Sequence, residues 1–488
     1  MKSVVKTPSE LSSKVVVLSF YEDEKTLSEV QKELNEKFNF VIEKNILTNF
    51  KGKLNETMLF PIETGEKIVA LGLGKKEEFD LNKLKETISK GTIFASKYIE
   101  NGVLSVEFPN INHCKKCSIS SFVSSIGMGN YKFDKYKTKK NENKIETLEI
   151  LTNEIDEILI NGAKNGEILN KAMNFTKDLV FESAEIMTPT KVSEIASQLA
   201  NENNLEIKVY SKEELKKMGF NAFLAVGQGS AQDPKFIHMI YKSQNPTRKI
   251  ALIGKGITFD SGGLDLKPPA SMLTMKTDMT GCATVLGVMK AICELKPEIE
   301  LHVMSALCEN MPSGTSYKVG DVLTSKSGKT IEVDNTDAEG RLTLADVLTY
   351  ADEIEADEVI DIATLTGAVI VALGNNITGI MGNNQEQIEE FKTAANKTGE
   401  LVWQLPMYDD MMDNLKSDIA DMKNTGSRNG GSSNAARFLL NFTKSKKWLH
   451  IDIAGTAYVD KPYREIQKGA TGVMVRTLVK YLTKEQCH

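Results

Sequence analysis

Residues Lys249 to Asp260 read KIALIGKGITFD, an apolar run closed by a glycine and followed at once by charged side chains. A short apolar run bounded by glycine makes a buried strand. Its carboxyl end delivers Lys255, Gly256 and then Asp260, the place where open α/β sheets hold their ligands. Gly262 and Gly263 punctuate the turn that follows, Lys267 precedes Pro268 and Pro269, and Asp278 stands before a helical run through Val285, Val288 and Ile292. A second stretch, VDNTDAEGRLTLADVLTYADEI from Val333, sets Asp337 and Glu339 on either side of Ala338 at the entrance of another helix. Residues two apart in an extended stretch point the same way, so these acids repel each other. Gly340 then indicates a backbone passing close to something, and Arg341 is a guanidinium suited to anions. A divalent metal accounts for the pattern; a helix start with acids favoured by the macrodipole also does. Four acids and two lysines therefore fall on loops or helix starts that follow strands.

The strings GKGITFDSGGLDLK, CENMPSG and DNTDAEGRL, with FDKYKTKK from Phe133, TPTKVSEIA from Thr188, AVGQGS from Ala225, SDIADMKN from Ser417 and HIDIAG from His450, resemble the leucyl aminopeptidase (cytosol aminopeptidase) family of dinuclear zinc exopeptidases. The similarity runs, with interruptions, from Ile126 to Lys480. It implies that Lys255, Asp260, Asp278, Asp337 and Glu339 hold two metal ions, with Lys267 and Arg341 at the reaction centre and a bicarbonate ion anchored on Arg341. It also implies an apolar pocket of Met275 and Ala454 beside Thr364 and Gly367, suited to Leu or Met at the first position of a peptide with a free amino terminus. The family forms hexamers of two stacked trimers. Two stretches depart from its usual wording, DLVFESAE at Asp178–Glu185 and GSRNGGSSN at Gly426–Asn434, so neither carries a role over from it.

Four carboxylates carry four negative charges and two divalent ions four positive ones, a balance that favours two metals over one. As a ligand Lys255 must be the neutral amine, with a pKa well below about 10.4; dications and desolvation both push it that way. An amine added to oxygen donors points to zinc first and manganese second. The competing arrangement, lysines merely paired with the acids, is a buried ion-pair cluster, expensive to assemble and weak as a stabiliser. Only five histidines occur, with no H-E-x-x-H and no G-x-S-x-G, so hydrolysis here must run on metals, carboxylates, lysine and arginine. Two metals sharing a water would lower its pKa and make it the nucleophile, and the Lys267 ammonium would polarise the scissile carbonyl.

Strand-like and helix-like pieces alternate along the whole chain, which argues for α/β architecture with a largely parallel sheet. We expect two α/β domains: residues 1–152, a linking helix over 153–177, and a larger catalytic domain over 178–488 with a mixed, mainly parallel sheet flanked by helices. A strand is expected at Ala222–Val226 among others. The net charge of −6 offers no global electrostatic basis for nucleic-acid binding, although some bacterial relatives double as DNA-binding regulators. A non-peptidase two-metal hydrolase such as a phosphoesterase is the other alternative. Six cysteines scattered over the chain suit a reducing compartment, and the H-C-x-x-C at His113 lacks the second pair that a zinc site needs. The run Val15 to Phe20 is too short for a signal-peptide core or a bilayer span, so a cytoplasmic protein without membrane contact is expected. The basic run Lys135 to Lys144 reads as a solvated turn.

Overall fold

Val15 to Phe20 is buried throughout, and successive side chains enter opposite cores, Val15 and Val17 one, Val16, Leu18 and Phe20 the other. A strand covered on both faces is what a continuous apolar run requires. The structure, a computed structural model, describes residues 1–22, 26–39, 41–140 and 145–484. The end of the basic run, at 141–144, lies outside the described residues, as do Cys487 and His488. The chain divides into two compact units.

Unit 1 comprises Met1–Asn174 together with Lys461–Lys468. Among its described residues β1 (Lys2–Lys6), β2 (Val15–Tyr21), β3 (Thr57–Pro61), β4 (Lys67–Gly74), β5 (Val103–Glu107) and β6 (Thr147–Leu151) form one sheet in the order β1-β6-β5-β2-β4-β3. Neighbours run parallel except β3 against β4. Helices Leu81–Ser96 and Lys115–Gly129 supply Leu84, Ile88, Phe122 and Ile126 to one core, and helix Glu29–Phe38 supplies Val30, Leu34 and Phe38 to the other.

Unit 2 comprises Phe175–Asp460 and Gly469–Lys484, and the division falls within helix Glu157–Phe181. Its strands include β7 (Glu206–Tyr210), β8 (Lys235–Lys242), β9 (Lys249–Gly254), β10 (Gly256–Asp260), β11 (Glu300–Asn310), β12 (Val322–Thr324), β13 (Thr330–Glu332), β14 (Glu358–Ala363), β15 (Thr378–Gly382), β16 (Val402–Gln404), β17 (Met422–Lys423) and β18 (Trp448–Asp452). The large sheet runs β16-β15-β18-β14-β9-β11-β8-β7, while β12, β13 and β17 pair separately. β18, β14, β9 and β11 are parallel, and β8, β7 and β15 join antiparallel, so the sheet is mixed and mainly parallel. The length of β11 positions the site. Its first half pairs with β9, and beyond Lys255 its second half pairs with β10, placing Asp260 opposite Asn310.

One expected strand is a helix: Ala222–Val226 lies within helix Asn221–Gly227. Five apolar residues satisfy either period, and a remote partner decides. Asp346, on helix Glu339–Asp352, accepts the Phe223 N–H at 2.9 Å, satisfying a first-turn donor that would otherwise be orphaned. Among the described residues no helix is long and apolar enough to cross a membrane.

Candidate active site

Five elements of unit 2 meet beyond the carboxyl ends of its central parallel strands. Lys255 follows β9, Asp260 ends β10, Asp278 sits in the turn Met275–Met279 that opens helix Thr280–Leu295, and Glu339 is the first residue of helix Glu339–Asp352, just after Asp337. One oxygen each of Asp260, Asp337 and Glu339 lies within 4.8 Å of the others, close enough to share a cation. Lys255 Nζ joins Asp278 to the group, standing 2.9 Å from Asp278 Oδ2 and 2.8 Å from Glu339 Oε1. Lys267 Nζ lies 2.9 Å from Asp260 Oδ2 and 2.5 Å from Asp337 Oδ1.

Asp260 and Asp278 are each held by one oxygen, leaving the other for the centre. Asp260 Oδ1 accepts the Gly262 N–H at 2.8 Å and Asn310 Nδ2 at 2.9 Å. Asp278 Oδ1 accepts the Thr364 hydroxyl at 2.7 Å, and the Thr364 carbonyl takes Lys255 Nζ at 3.0 Å. Thr336 locks the two acid-bearing loops together: its hydroxyl donates to the Gly262 carbonyl at 2.7 Å, and its N–H donates to Asp265 Oδ2 at 2.7 Å. Gly262 has φ +89°, and a Cβ there would stand 2.8 Å from Asp337 Oδ1, so only glycine lets this turn close over the aspartate.

Arg341 is buried and donates through Nη1 to the Asn424 carbonyl at 2.8 Å, while its Nε has no hydrogen-bond partner. Thr364 adjoins the cluster through Lys255 and Asp278. Met275, half-buried, lies in the same turn as Asp278. Gly367 is exposed at the start of helix Gly367–Leu373, with open space where a Cβ would be. Ala454 is half-buried, its N–H donating to Asp452 Oδ1 at 3.2 Å. Neither Asn310 nor Asn424 stood out by residue type. Both lie inside strings that carried the resemblance, and both act through amide groups on a neighbouring loop.

The electrostatics call for added positive charge. Burial, with repulsion from neighbouring acids, holds Asp260, Asp278 and Asp337 above the usual carboxylate range despite the opposing lysines. Burial alone would lower Lys255 and Lys267, but the facing carboxylates outweigh it and hold both ammonium groups above their ordinary value. Burial pushes the Arg341 guanidinium down to about 10, against the pull of Glu339 and Asp452. Glu339 Oε2 is buried without any hydrogen bond, and Asp278 Oδ2 and Asp337 Oδ1, though within ion-pair reach of lysines, make none either. Buried carboxylate oxygens left in this state are costly, and hard oxygen donors of this kind fit divalent metal ions. Among the described residues no other group of three His, Cys, Asp or Glu side chains converges in this way, His113, Cys114 and Cys117 included.

A mainly parallel α/β sheet that brings such carboxylates to one point beyond its strand ends is the framework of a metallohydrolase. Residues 174–479 match the catalytic domain of the cytosol aminopeptidase family and residues 16–140 match its N-terminal domain. The chain belongs to the cytosol aminopeptidase family and is a metal-dependent aminopeptidase. It is 43% identical over 478 residues to the "Probable cytosol aminopeptidase" of Aquifex aeolicus, covering 96% of this chain and 95% of that one. The protein of the same description from Nostoc punctiforme is 39% identical over 475 residues, with 96% of each chain covered. Among solved structures, a mutant of tomato leucine aminopeptidase superposes with a TM-score of 0.89 at 30% identity, covering 99% of this chain and 97% of that one. The bottromycin maturation enzyme BotP in complex with Mn gives 0.86 at 27% identity, covering 97% and 99%.

Proposed function

We propose that this enzyme releases amino-terminal residues, preferentially Leu, Met or other apolar ones, from peptides with a free α-amine, using two divalent ions held by Lys255, Asp260, Asp278, Asp337 and Glu339. The observation that carries this is the set of buried carboxylate oxygens without hydrogen bonds around Lys255. Bound there, the ions supply a nucleophilic water at neutral pH and a Lewis acid for the scissile carbonyl. Zinc is the first choice and manganese the second, the latter supported by the Mn complex of the BotP relative. Lys255 enters as the neutral amine, so the proton it holds against the bare carboxylates must leave when the site is loaded. Lys267, less buried than Lys255, remains an ammonium that orients the carbonyl oxygen and stabilises its developing charge. Arg341, rigid on its helix and with Nε available, holds an anion such as bicarbonate beside the reacting bond. Met275, Thr364, Gly367 and Ala454 border the apolar side-chain pocket. A homohexamer in the cytoplasm is the assembly and location in keeping with the family's name and habit.

The test is metal analysis of the purified protein combined with three substrates: leucine anilide, acetyl-leucine anilide and a chromogenic phosphate ester. About two ions per chain and cleavage of the free-amine anilide alone are expected. Asp260→Ala or Glu339→Ala should lower metal content and abolish turnover. Comparable cleavage of the capped and free anilides would rule out an aminopeptidase, and turnover of the phosphate ester alone would point to the other two-metal hydrolase.

A further inference from the structure

Trp448, His450 and Asp452 alternate along β18 and so face one side of the sheet, where Asp361 of β14 meets the first two. His450 Nδ1 donates to Asp361 Oδ1 at 2.5 Å and Trp448 Nε1 donates to Asp361 Oδ2 at 2.8 Å, with all three side chains fully buried. Asp452, also buried, accepts the Leu365 and Ala454 N–H groups on Oδ1, each at 3.2 Å, and the Thr366 hydroxyl on Oδ2 at 2.6 Å. The turn it holds begins with Thr364, whose carbonyl takes Lys255 Nζ and whose hydroxyl donates to Asp278. Two buried carboxylates, Asp361 and Asp452, thus share a face with two groups that can be cationic, His450 on the same strand and Arg341 from helix Glu339–Asp352. Unbalanced charge in such a place is expensive, and an imidazolium at His450, whose Nε2 is buried without a hydrogen-bond partner, is the state that balances this face while Asp452 stays a carboxylate.

We propose that His450, clamped by Asp361, is a positioning residue of the catalytic centre: its buried positive charge keeps Asp452 a carboxylate, and Asp452 holds the Leu365–Thr366 turn so that Thr364 presents Lys255 and Asp278 to the metal site. The interactions agree in sign. Burial alone would lower His450, but Asp361 and then Asp452 override it and hold the ring above its ordinary value. Burial raises Asp452, and His450 is the first group to oppose it. The proposal rests on the function given above, since Lys255 and Asp278 need orienting only if they hold metal. Supporting partners of metal ligands characteristically affect metal affinity or activity by about 10–100-fold when removed.

His450→Gln and Asp361→Asn remove the imidazolium by different routes at nearly constant volume. The full-length protein and both variants are titrated with Mn²⁺ in a chelator buffer and assayed on leucine anilide. Both variants should bind Mn²⁺ about 10–100-fold more weakly, with a parallel fall in kcat. If both bind and turn over within about twofold of wild type, the inference fails while the proposed function stands; a wild type that takes up no metal sinks both. Should the variants not fold, ring ¹⁵N spectra of the wild-type protein at pH 8 decide. One doubly protonated imidazole is expected, because His113, His238 and His302 lie below the ordinary value and an unperturbed ring titrates at about 6.5. A spectrum with no doubly protonated ring overturns the proposal.

Discussion

A methyl group on Gly340 would stand 2.4 Å from Lys255 Cε and 2.6 Å from its Nζ, so the second residue of helix Glu339–Asp352 must be bare for the lysine to lie across it. Lys255 has nowhere to retreat, being 4% exposed and held by Asp278, Glu339 and the Thr364 carbonyl. Alanine favours a helix over glycine by about 1 kcal/mol, but here the added methyl must displace Lys255. Gly340→Ala should therefore lower metal content and cut leucine anilide turnover by about 10-fold or more, with no net gain in the thermal transition because the overlap with Lys255 offsets the helix preference. A variant with full metal content and full activity would show that the Lys255 position does not matter. That something passes close to this glycine was legible from the sequence; that the neighbour is Lys255 was not, because the approach depends on how β9 and the helix pack. The charged residues were legible for a related reason, since clustered acids and lysines at strand ends are expensive without a task. Asn310, Thr336 and Asn424 left no such trace, as amides and hydroxyls on loops are ordinary and their partners come from distant segments.

Helix Glu339–Asp352 touches the site at one end and a chain of polar side chains near the other, where Tyr350 lies. His302 Nε2 is 3.0 Å from Glu300 Oε1, His238 Nε2 is 2.8 Å from His302 Nδ1, and His238 Nδ1 is 3.1 Å from the Tyr350 hydroxyl. A carboxylate only accepts, so the Glu300 end fixes both tautomers: His302 donates from Nε2, His238 donates from Nε2 to His302 Nδ1, and Tyr350 donates to His238 Nδ1. With both rings neutral this chain of hydrogen bonds is complete, and protonating both would set N–H against N–H between them. Burial pushes His238 down to about 3 and lowers His302 as well. The unfolded chain therefore takes up these protons first, and the stability the neutral pair contributes, complete above about pH 6.5, is lost as pH falls towards 3. Asp346 on the same helix acts in the opposite sense, since burial pushes it up to about 7 and its folded form gains a proton over the upper part of this range. The comparison must therefore be between variants: His238→Phe should weaken the acid dependence of urea stability between pH 6.5 and 5 by up to about 1.4 kcal/mol per pH unit. Identical slopes in wild type and variant would mean that His238 is protonated in the folded protein. The pairing of these histidines across β8 and β11 was hidden in the sequence, because register is set by tertiary contacts. The same limit turned the expected strand Ala222–Val226 into a helix, its cap coming from Asp346.

Unit 1 is discontinuous in sequence, since Lys461–Lys468 belongs to it although most of the chain around that stretch belongs to unit 2. The division expected from the sequence left these residues in the catalytic domain. The stretch KPYREIQK is polar and carries no periodic apolar signal, so nothing in its composition marks it as part of an interior. It contributes Glu465, whose Oε1 lies 3.3 Å from Lys85 Nζ on helix Leu81–Ser96, with each side chain only 2% exposed. Removing one partner of a buried ion pair typically costs about 3–5 kcal/mol, whereas replacing both by apolar residues of similar size is often neutral or better. Glu465→Leu should accordingly lower amide-exchange protection across helix Leu81–Ser96 by that amount, and the double variant Glu465→Leu with Lys85→Met should recover most of it. A fragment ending at Asn174 keeps Lys85 but lacks Glu465, so it should be less protected in the same helix than the full chain is. Fluorescence is blind to this event, because both tryptophans, Trp403 and Trp448, lie in unit 2, so exchange measured on the helix itself is the deciding observable. Equal protection in wild type and Glu465→Leu would show that Lys85 finds compensation elsewhere and that the returning segment is incidental to the stability of unit 1.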